Sequence, residues 1–308
     1  MEHEESPTVW LYWDSPEGAD PGYIELCRRT IEKWAGDYRV IVLNKENAFN
    51  HVPGLHEEFP NIPVIAHRAD YVRAACLASR GGIWLDIDTV VLKPLTLCWA
   101  LTAVNGCVMY GWKDKEPSIG MIAARGEHPL LLAWREAIES RIDQSLSQNW
   151  SGFGYDLLWP LAKSIGFTQI PRTACAPTHW TETGVFGQDR TIASVLKPDT
   201  VMVQLYNRGL SAKMGGMSSE ELMRSETLLA RLFEQAMAVP SPSPERLRDL
   251  ESSMEIAAAG VACSLAATGR LPGLTWVDGS PLFDQSVRTY DRLMFQETIR
   301  SASKREDA

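Results

Sequence analysis

Residues 65–95, IAHRADYVRAACLASRGGIWLDIDTVVLKPL, constrain this chain more than any other stretch. The Ala-, Leu- and Arg-rich run over residues 64–80 has no Gly or Pro after Pro63 and predicts a helix. Gly81 and Gly82 end it where a left-handed cap is needed. The helix is expected to carry a polar face on which Asp70 and Arg73, three residues apart, lie side by side. Residues 83–87 then have the apolar composition of a strand, whose alternation sends Trp84, Asp86 and Asp88 to one side and Ile83, Leu85 and Ile87 to the other. Two carboxylates therefore leave the strand end together. They repel each other and lose hydration there, and a divalent cation that prefers hard oxygen ligands, Mn2+ or Mg2+, relieves both; such an ion then takes phosphate oxygens. D-x-D alone equally fits an ordinary strand-to-turn boundary, because Asp favours turns.

The flanking order is that of an α/β chain. Residues 8–13, TVWLYW, read as a first strand, 21–35 as a helix and 38–43 as a second strand, the strand-helix-strand order of a parallel unit. Trp13, at the end of the first strand, is a candidate to stack on a flat ring, and 44–47 follows the second strand at the carboxyl edge where open sheets bind ligands. His67 precedes Asp70 by three residues and reads as a solvated helix histidine. Past the aspartates, residues 104–111 and 119–124 predict two short strands around a charged turn at 113–117, and helices follow over 130–142 and 156–165, the second after a Gly-rich opening at 151–155. The polar, aromatic, Gly-containing stretch 171–197 has the composition of a substrate-facing loop, with His179, Trp180, Gln188 and Asp189 as candidate acceptor contacts. A strand over 200–206 ends at Asn207-Arg208, and SAKMGGM behind it reads as a loop.

A helix over 220–238 precedes Pro-Ser-Pro-Ser-Pro at 240–244, read as a stiff linker that divides a main domain, 1–239, from a helical C-terminal extension, 240–308. Two helices are expected in the extension, about 245–268 and 285–303, around LPGLTWVDGSPLF; they carry no catalytic constellation and are assigned to packing or partner contact. The net charge of -9 with no basic block speaks against nucleic acid as the main partner, while 11 Trp suit a protein that stacks on bases or sugar rings. Six Cys without a C-x-x-C pair fit free thiols, and the acidic N-terminus lacks the zones of a signal peptide. No run of about 18 apolar residues, the length of a membrane span, is apparent. A cytoplasmic protein without a transmembrane segment is the expectation.

The combination A-D-Y-V-R at 69–73 and G-G-I-W-L-D-I-D at 81–88, behind an opening W-L-Y-W-D at 10–14, resembles glycosyltransferases with a D-x-D motif and a sugar-binding region, of the capsular polysaccharide synthesis and α-mannosyltransferase type, related to the glucosylating clostridial toxins. The likeness runs from about residue 9 to about residue 238. It implies a GT-A type fold with a mixed, mainly parallel central sheet, a nucleotide-sugar donor, a UDP-sugar ahead of a GDP-sugar, and Mn2+ or Mg2+. It further implies that Trp13 stacks on the base, that Asp70 and Arg73 hold the donor sugar with Trp84 beside it, and that Asn47 touches the donor. Asp86 would meet ribose, sugar or metal, and Asp88 would bind the metal. A hexosyl transfer to a glycan or other hydroxyl acceptor with retained configuration follows, as in polysaccharide biosynthesis. Relatives often place a His-containing element near the domain end, where this chain has VQLYNRG, so Gln204 or Asn207 stands in as the third metal-side contact. Two rivals remain at this stage. LDIDTV also fits the nucleophile strand of a haloacid-dehalogenase-type phosphatase, with Asp86 attacking, although no downstream acidic pair accompanies it. The other is a non-catalytic sugar-binding module.

Overall fold

The computed structural model describes residues 6–14, 20–111, 116–267 and 277–306 of the chain. The turn expected at 113–117 lies largely outside the described residues, as do most of the loop after the first strand and 271–276 of LPGLTWVDGSPLF.

The chain opens as strand β1 (Thr8–Tyr12), helix α1 (Gly22–Ala35), strand β2 (Arg39–Leu43) and the single turn α2 (Ala48–His51). Helix α3 (Ile65–Arg80) leads into β3 (Gly82–Leu85), and the chain bends at Ile87-Asp88 into the short β4 (Thr89–Val91). After α4 (Thr96–Trp99) come β5 (Cys107–Gly111), β6 (Pro117–Ala124), α5 (Pro129–Glu139), α6 (Tyr155–Ile165), β7 (Thr168–Ile170) and α7 (Arg172–Cys175). Beyond β8 (Met202–Gln204) are α8 (Asn207–Met214), α9 (Ser219–Met223), α10 (Leu228–Ala238), α11 (Pro244–Ala267), β9 (Val277–Asp278) and α12 (Ser280–Glu306).

Seven strands form one sheet in the order β2-β1-β3-β6-β5-β7-β9. β6 runs antiparallel to both of its neighbours and every other pairing is parallel, the mixed, mainly parallel α/β sheet expected of a GT-A type fold. Alternation along the central strands separates two cores. Val9, Leu11, Ile83 and Leu85 face α1 and α10, whereas Trp10, Tyr12, Trp84 and Ile122 face α3, α5 and α6. β4 leaves the sheet to pair antiparallel with β8, matching Thr89 to Gln204. That small ribbon lays the 204–207 segment against the end of β3.

The glycine pair does more than cap a helix. Gly81 accepts the cap role, its amide donating to the Leu77 carbonyl at 3.0 Å, and its own carbonyl receives the Trp10 indole at 2.8 Å. Gly82 has φ +109°, and a Cβ there would lie 2.3 Å from the Thr8 carbonyl, so β1 pairs with β3 only because this position has no side chain.

Several expectations are corrected. α3 has no solvated polar face: residues from Asp70 through Ala78 are buried all round, because it lies between the sheet and α5. His67 is fully buried rather than solvated. SAKMGGM is largely helical, within α8, and the helix predicted at 220–238 breaks at Ser225, where the Thr227 hydroxyl caps α10. The C-terminal residues are helical and also add β9 to the sheet, and Phe283, Val287 and Tyr290 enter the main core. Among the described residues one helix, α11, is long and apolar enough to cross a membrane by length and composition, where none was expected. It nonetheless seats Leu250, Met254 and Ala258 against the fold, and its Glu255 pairs with Arg125 at 2.5 Å.

Candidate active site

The site forms where β3 ends. The Asp86 amide still joins the ladder, donating to the Gly120 carbonyl at 2.9 Å, and the bend that follows turns Asp88 inward. Arg73 reaches from α3 between two carboxylates: one guanidinium nitrogen lies 2.7 Å from Asp86 Oδ1 and the other 3.1 Å from Asp70 Oδ1. The guanidinium lies over the Trp84 ring at 4.8 Å, and the same indole donates to Asp86 Oδ1 at 3.1 Å. The pairing of Asp70, Arg73, Trp84 and Asp86 anticipated from the sequence is therefore physical contact.

VQLYNRG closes the other side. Gln204 Nε2 donates to Asp86 Oδ2 at 2.8 Å, and Gln204 Oε1 accepts from the buried Tyr110 hydroxyl. Tyr206 adopts a left-handed backbone, φ +57° and ψ +72°, uncommon for a bulky residue. The reason lies on either side of it: the Leu205 amide donates to the Asp88 carbonyl at 2.9 Å, and the Asn207 amide donates to Asp88 Oδ2. The strained residue lets two flanking amides converge on one aspartate. The Asn207 side-chain oxygen accepts from the Tyr23 hydroxyl of α1, so Asn207 meets Asp88 through its backbone.

Charge is unbalanced here. One guanidinium serves Asp70 and Asp86, and among the described residues no side-chain cation pairs with Asp88, which is 8% exposed. Burial, reinforced by the Asp86 charge, pushes the Asp88 carboxyl well above the usual carboxylate range. Burial also raises Asp70 to about 7, with Arg73 opposing and Asp86 adding to the rise. A divalent cation fits this deficit. No cluster of three or more His, Cys, Asp or Glu suited to a metal occurs among the described residues, so protein donors alone do not cage an ion. Two carboxylates with the remaining positions left to phosphate and water is the way Mg2+-like ions are commonly held at nucleotide sites. Asp88, with Asp86 behind it, would hold the ion.

The sequence gives no motif for three further contacts. Gly154, just before α6, approaches Asp70 so closely that a Cβ there would lie 2.7 Å from Asp70 Oδ2. His67, one turn before Asp70, is held on both nitrogens, by Ser145 Oγ at 2.7 Å and the Asn149 carbonyl at 2.8 Å, and stacks on Phe153. A carbonyl only accepts, so Nε2 carries the proton. Asp14 binds Arg68 at 3.0 Å and the Lys45 amide at 3.0 Å, tying the ends of β1 and β2 to α3. These are contacts between segments far apart in sequence.

The other candidates fall into two groups. Trp13 stands at the end of β1, beside the bend, because Trp10 pairs with Trp84 in register; its indole donates to Asp20 at 2.8 Å. Asn47 spends both ends of its amide in the turn after β2, on the Asn44 amide and the Val42 carbonyl, each at 2.9 Å. His179 and Trp180 begin a 3-10 helix (Trp180–Gly187) that packs on α8, with Trp180 60% exposed. Gln188 and Asp189 sit at α10 instead: the Gln188 carbonyl accepts from the Leu228 amide at 2.7 Å, and Asp189 pairs with Arg231 at 2.6 Å.

Residues 21–105 match the family described as glycosyltransferase sugar-binding region containing DXD motif. The chain is 28% identical over 155 residues to the initiation-specific alpha-1,6-mannosyltransferase of Saccharomyces cerevisiae, a match covering 44% of this chain and 32% of the yeast protein. It is 26% identical over 152 residues to the probable glycosyltransferase FCK3 of Fusarium pseudograminearum, covering 42% and 37%. The chain thus aligns with about a third of the length of these curated relatives. Among solved structures it is similar to PaToxG glycosyltransferase, at 13% identity and a TM-score of 0.38, over 76% of this chain and 87% of that one. The matched segment holds Asp70, Arg73, Asp86 and Asp88, so the likeness to the D-x-D sugar-binding region falls on the residues that meet at the end of β3.

Proposed function

We propose that the protein transfers a hexosyl group from a nucleotide sugar to a hydroxyl acceptor, with Mn2+ or Mg2+ at Asp88 and Asp86. The observation that carries this reading is the charge deficit: Asp70, Asp86 and Asp88 meet at the end of β3, and the Arg73 guanidinium pairs with only the first two. When bound, the ion neutralises the charge that develops on the departing nucleoside diphosphate. The chain's own residues do the rest. Arg73, fixed on the face of Trp84, orients Asp86 and Asp70, and these two present carboxylate oxygens to sugar hydroxyls. Gln204 and the Leu205 and Asn207 amides hold both aspartates in place before substrate arrives. Trp13, at the same strand-end level, is the base-stacking residue of this reading. Configuration is retained and no enzymic general base is assigned.

The phosphatase reading draws less support: Asp86, its nucleophile, already accepts hydrogen bonds from Arg73, Trp84 and Gln204, which lowers a carboxylate's nucleophilicity while leaving lone pairs for a cation or a hydroxyl. For the donor, the name of the yeast relative moves a mannosyl nucleotide, GDP-mannose, ahead of the UDP-sugars first favoured. The test is release of nucleoside diphosphate from GDP-mannose and a panel of UDP-hexoses, with Mn2+, with Mg2+ and with chelator. Metal-dependent release from one donor is expected; no release and no thermal shift with any of them supports the non-catalytic module.

A further inference from the structure

Between Asn149 and Gly154 the chain makes a turn-rich strap beside the sugar-side carboxylate, and its anchoring is unusually firm. His67 Nε2 donates to the Asn149 carbonyl at 2.8 Å, the Trp134 indole donates to the Phe153 carbonyl at 2.8 Å, and Phe153 stacks on the His67 ring with centroids 4.5 Å apart. Gly154 then closes on Asp70. From this fixed base Trp150 projects outward, 60% exposed, its ring lying under the Arg208 guanidinium at 5.4 Å. Arg208 directly follows Asn207, whose amide binds Asp88. The Trp150–Arg208 contact therefore joins the wall that carries Asp70 to the wall that carries Asp88.

Apart from its contact with Arg208, this large ring stands mostly in solvent on a pinned backbone, and the apolar face of a pyranose is what such a ring covers well. We propose that Trp150 is the acceptor platform of the site, that the acceptor group it takes is a pyranoside, and that Arg208 fixes the ring. This rests on the glycosyltransfer reading above, and it moves the acceptor from the vicinity of Trp180, where the sequence alone put it, to the strap. Trp150 lies four residues before the Gly154 that meets Asp70, and Arg208 follows the Asn207 that binds Asp88, so a pyranoside on this ring would sit beside the segments that carry both carboxylates. The bond formed joins that hydroxyl oxygen to the anomeric carbon, the bond broken joins the anomeric carbon to the diphosphate oxygen, and the hydroxyl proton leaves with the diphosphate or to water.

Methyl α-D-mannopyranoside, methyl α-D-glucopyranoside and methyl β-D-galactopyranoside serve as probes, by saturation-transfer NMR and as acceptors in steady-state transfer. Loss of a stacking contact of about 1.4 kcal/mol corresponds to tenfold, so Trp150→Ala is expected to raise the acceptor KM at least about tenfold. The donor KM should stay within about threefold, on the same principle that a residue touching one substrate moves that substrate's term. Trp150→Phe restores most of the acceptor affinity, and Arg208→Ala raises the same KM by about two- to fivefold, as expected for a partly exposed cation over a ring. Because the Trp150 side chain stands in solvent, its variants keep the wild-type melting temperature, which calorimetry checks. An unchanged acceptor KM in Trp150→Ala, a donor KM that rises in step, or a loss confined to Trp180→Ala overturns the assignment. So does a wild type that releases nucleoside diphosphate yet neither binds nor glycosylates any of the three probes. A wild type that cleaves no donor contradicts the glycosyltransfer reading instead; glycoside saturation transfer that Trp150→Ala abolishes still supports the platform, and its persistence overturns it.

Discussion

At the scale of single residues, the site is a compromise between burial and charge. Asp70 shows it most clearly, since its carboxyl is raised from 3.8 to about 7 by burial ahead of Arg73's opposing pull. A folded-state pKa above the unfolded one means that the native state binds the extra proton. Its stabilising share is therefore present below about pH 4 and is lost as pH rises through about 7. Asp70→Asn abolishes that loss, so the melting temperature of this variant relative to wild type should climb between pH 5 and pH 8, by a few °C, when measured without metal. A flat difference across that range contradicts the assignment. Gly154 offers a second residue-scale prediction. A methyl group there collides with Asp70 Oδ2 at 2.7 Å and with Ile119 Cδ1 at 2.8 Å, so Gly154→Ala must displace the sugar-side carboxylate. Misplacing a binding group by roughly 1 Å costs on the order of 100-fold, and kcat/KM should fall by about that factor while circular dichroism stays unchanged.

At the scale of elements, the helix-Gly-Gly-strand unit carries both the fold and the site. Gly82→Ala puts a Cβ 2.3 Å from the Thr8 carbonyl, at φ +109°, and is expected to destabilise the protein by about 2–4 kcal/mol in urea unfolding. An effect below about 1 kcal/mol would show that β1 and β3 are not locked at this point. This unit is also where the sequence was most legible. Helix content, the glycine stop and strand alternation are local properties, and they placed Asp70, Arg73, Trp84, Asp86 and Asp88 on converging elements. The polar face assigned to α3 was not real, because periodicity reports where apolar residues cluster and α3 is covered on all sides. His67 was misread for the same reason: its partners, Ser145 and Asn149, come from a segment that nothing in the local pattern ties to α3. α8 was hidden because glycines after Met214 obscured a helix whose start depends on a left-handed Tyr206, a conformation set by the contacts to Asp88.

At the scale of the molecule, the C-terminal helices are built into the structure that supports the site. Glu251 of α11 accepts from the Tyr38 hydroxyl at 2.6 Å and from Thr96 at 2.9 Å, and Lys93 pairs with Asp291 of α12 at 2.9 Å. Leu250, Met254, Phe283, Val287 and Tyr290 fill the core on the α1 side of the sheet, each contributing about 1.5–3 kcal/mol when buried. A chain ending at Val239 is accordingly expected to melt at least about 10 °C lower or to fail to fold, as read by calorimetry of the soluble fraction. The central claim concerns the ion proposed at Asp88 and Asp86. The most direct measurement is an electron paramagnetic resonance titration of Mn2+ into the full chain with GDP or UDP present, wild type against Asp88→Asn. One tightly held Mn2+ per wild-type chain, lost in Asp88→Asn while its melting temperature is kept, is the predicted result; equal Mn2+ binding by the two proteins, or none by the wild type, contradicts it.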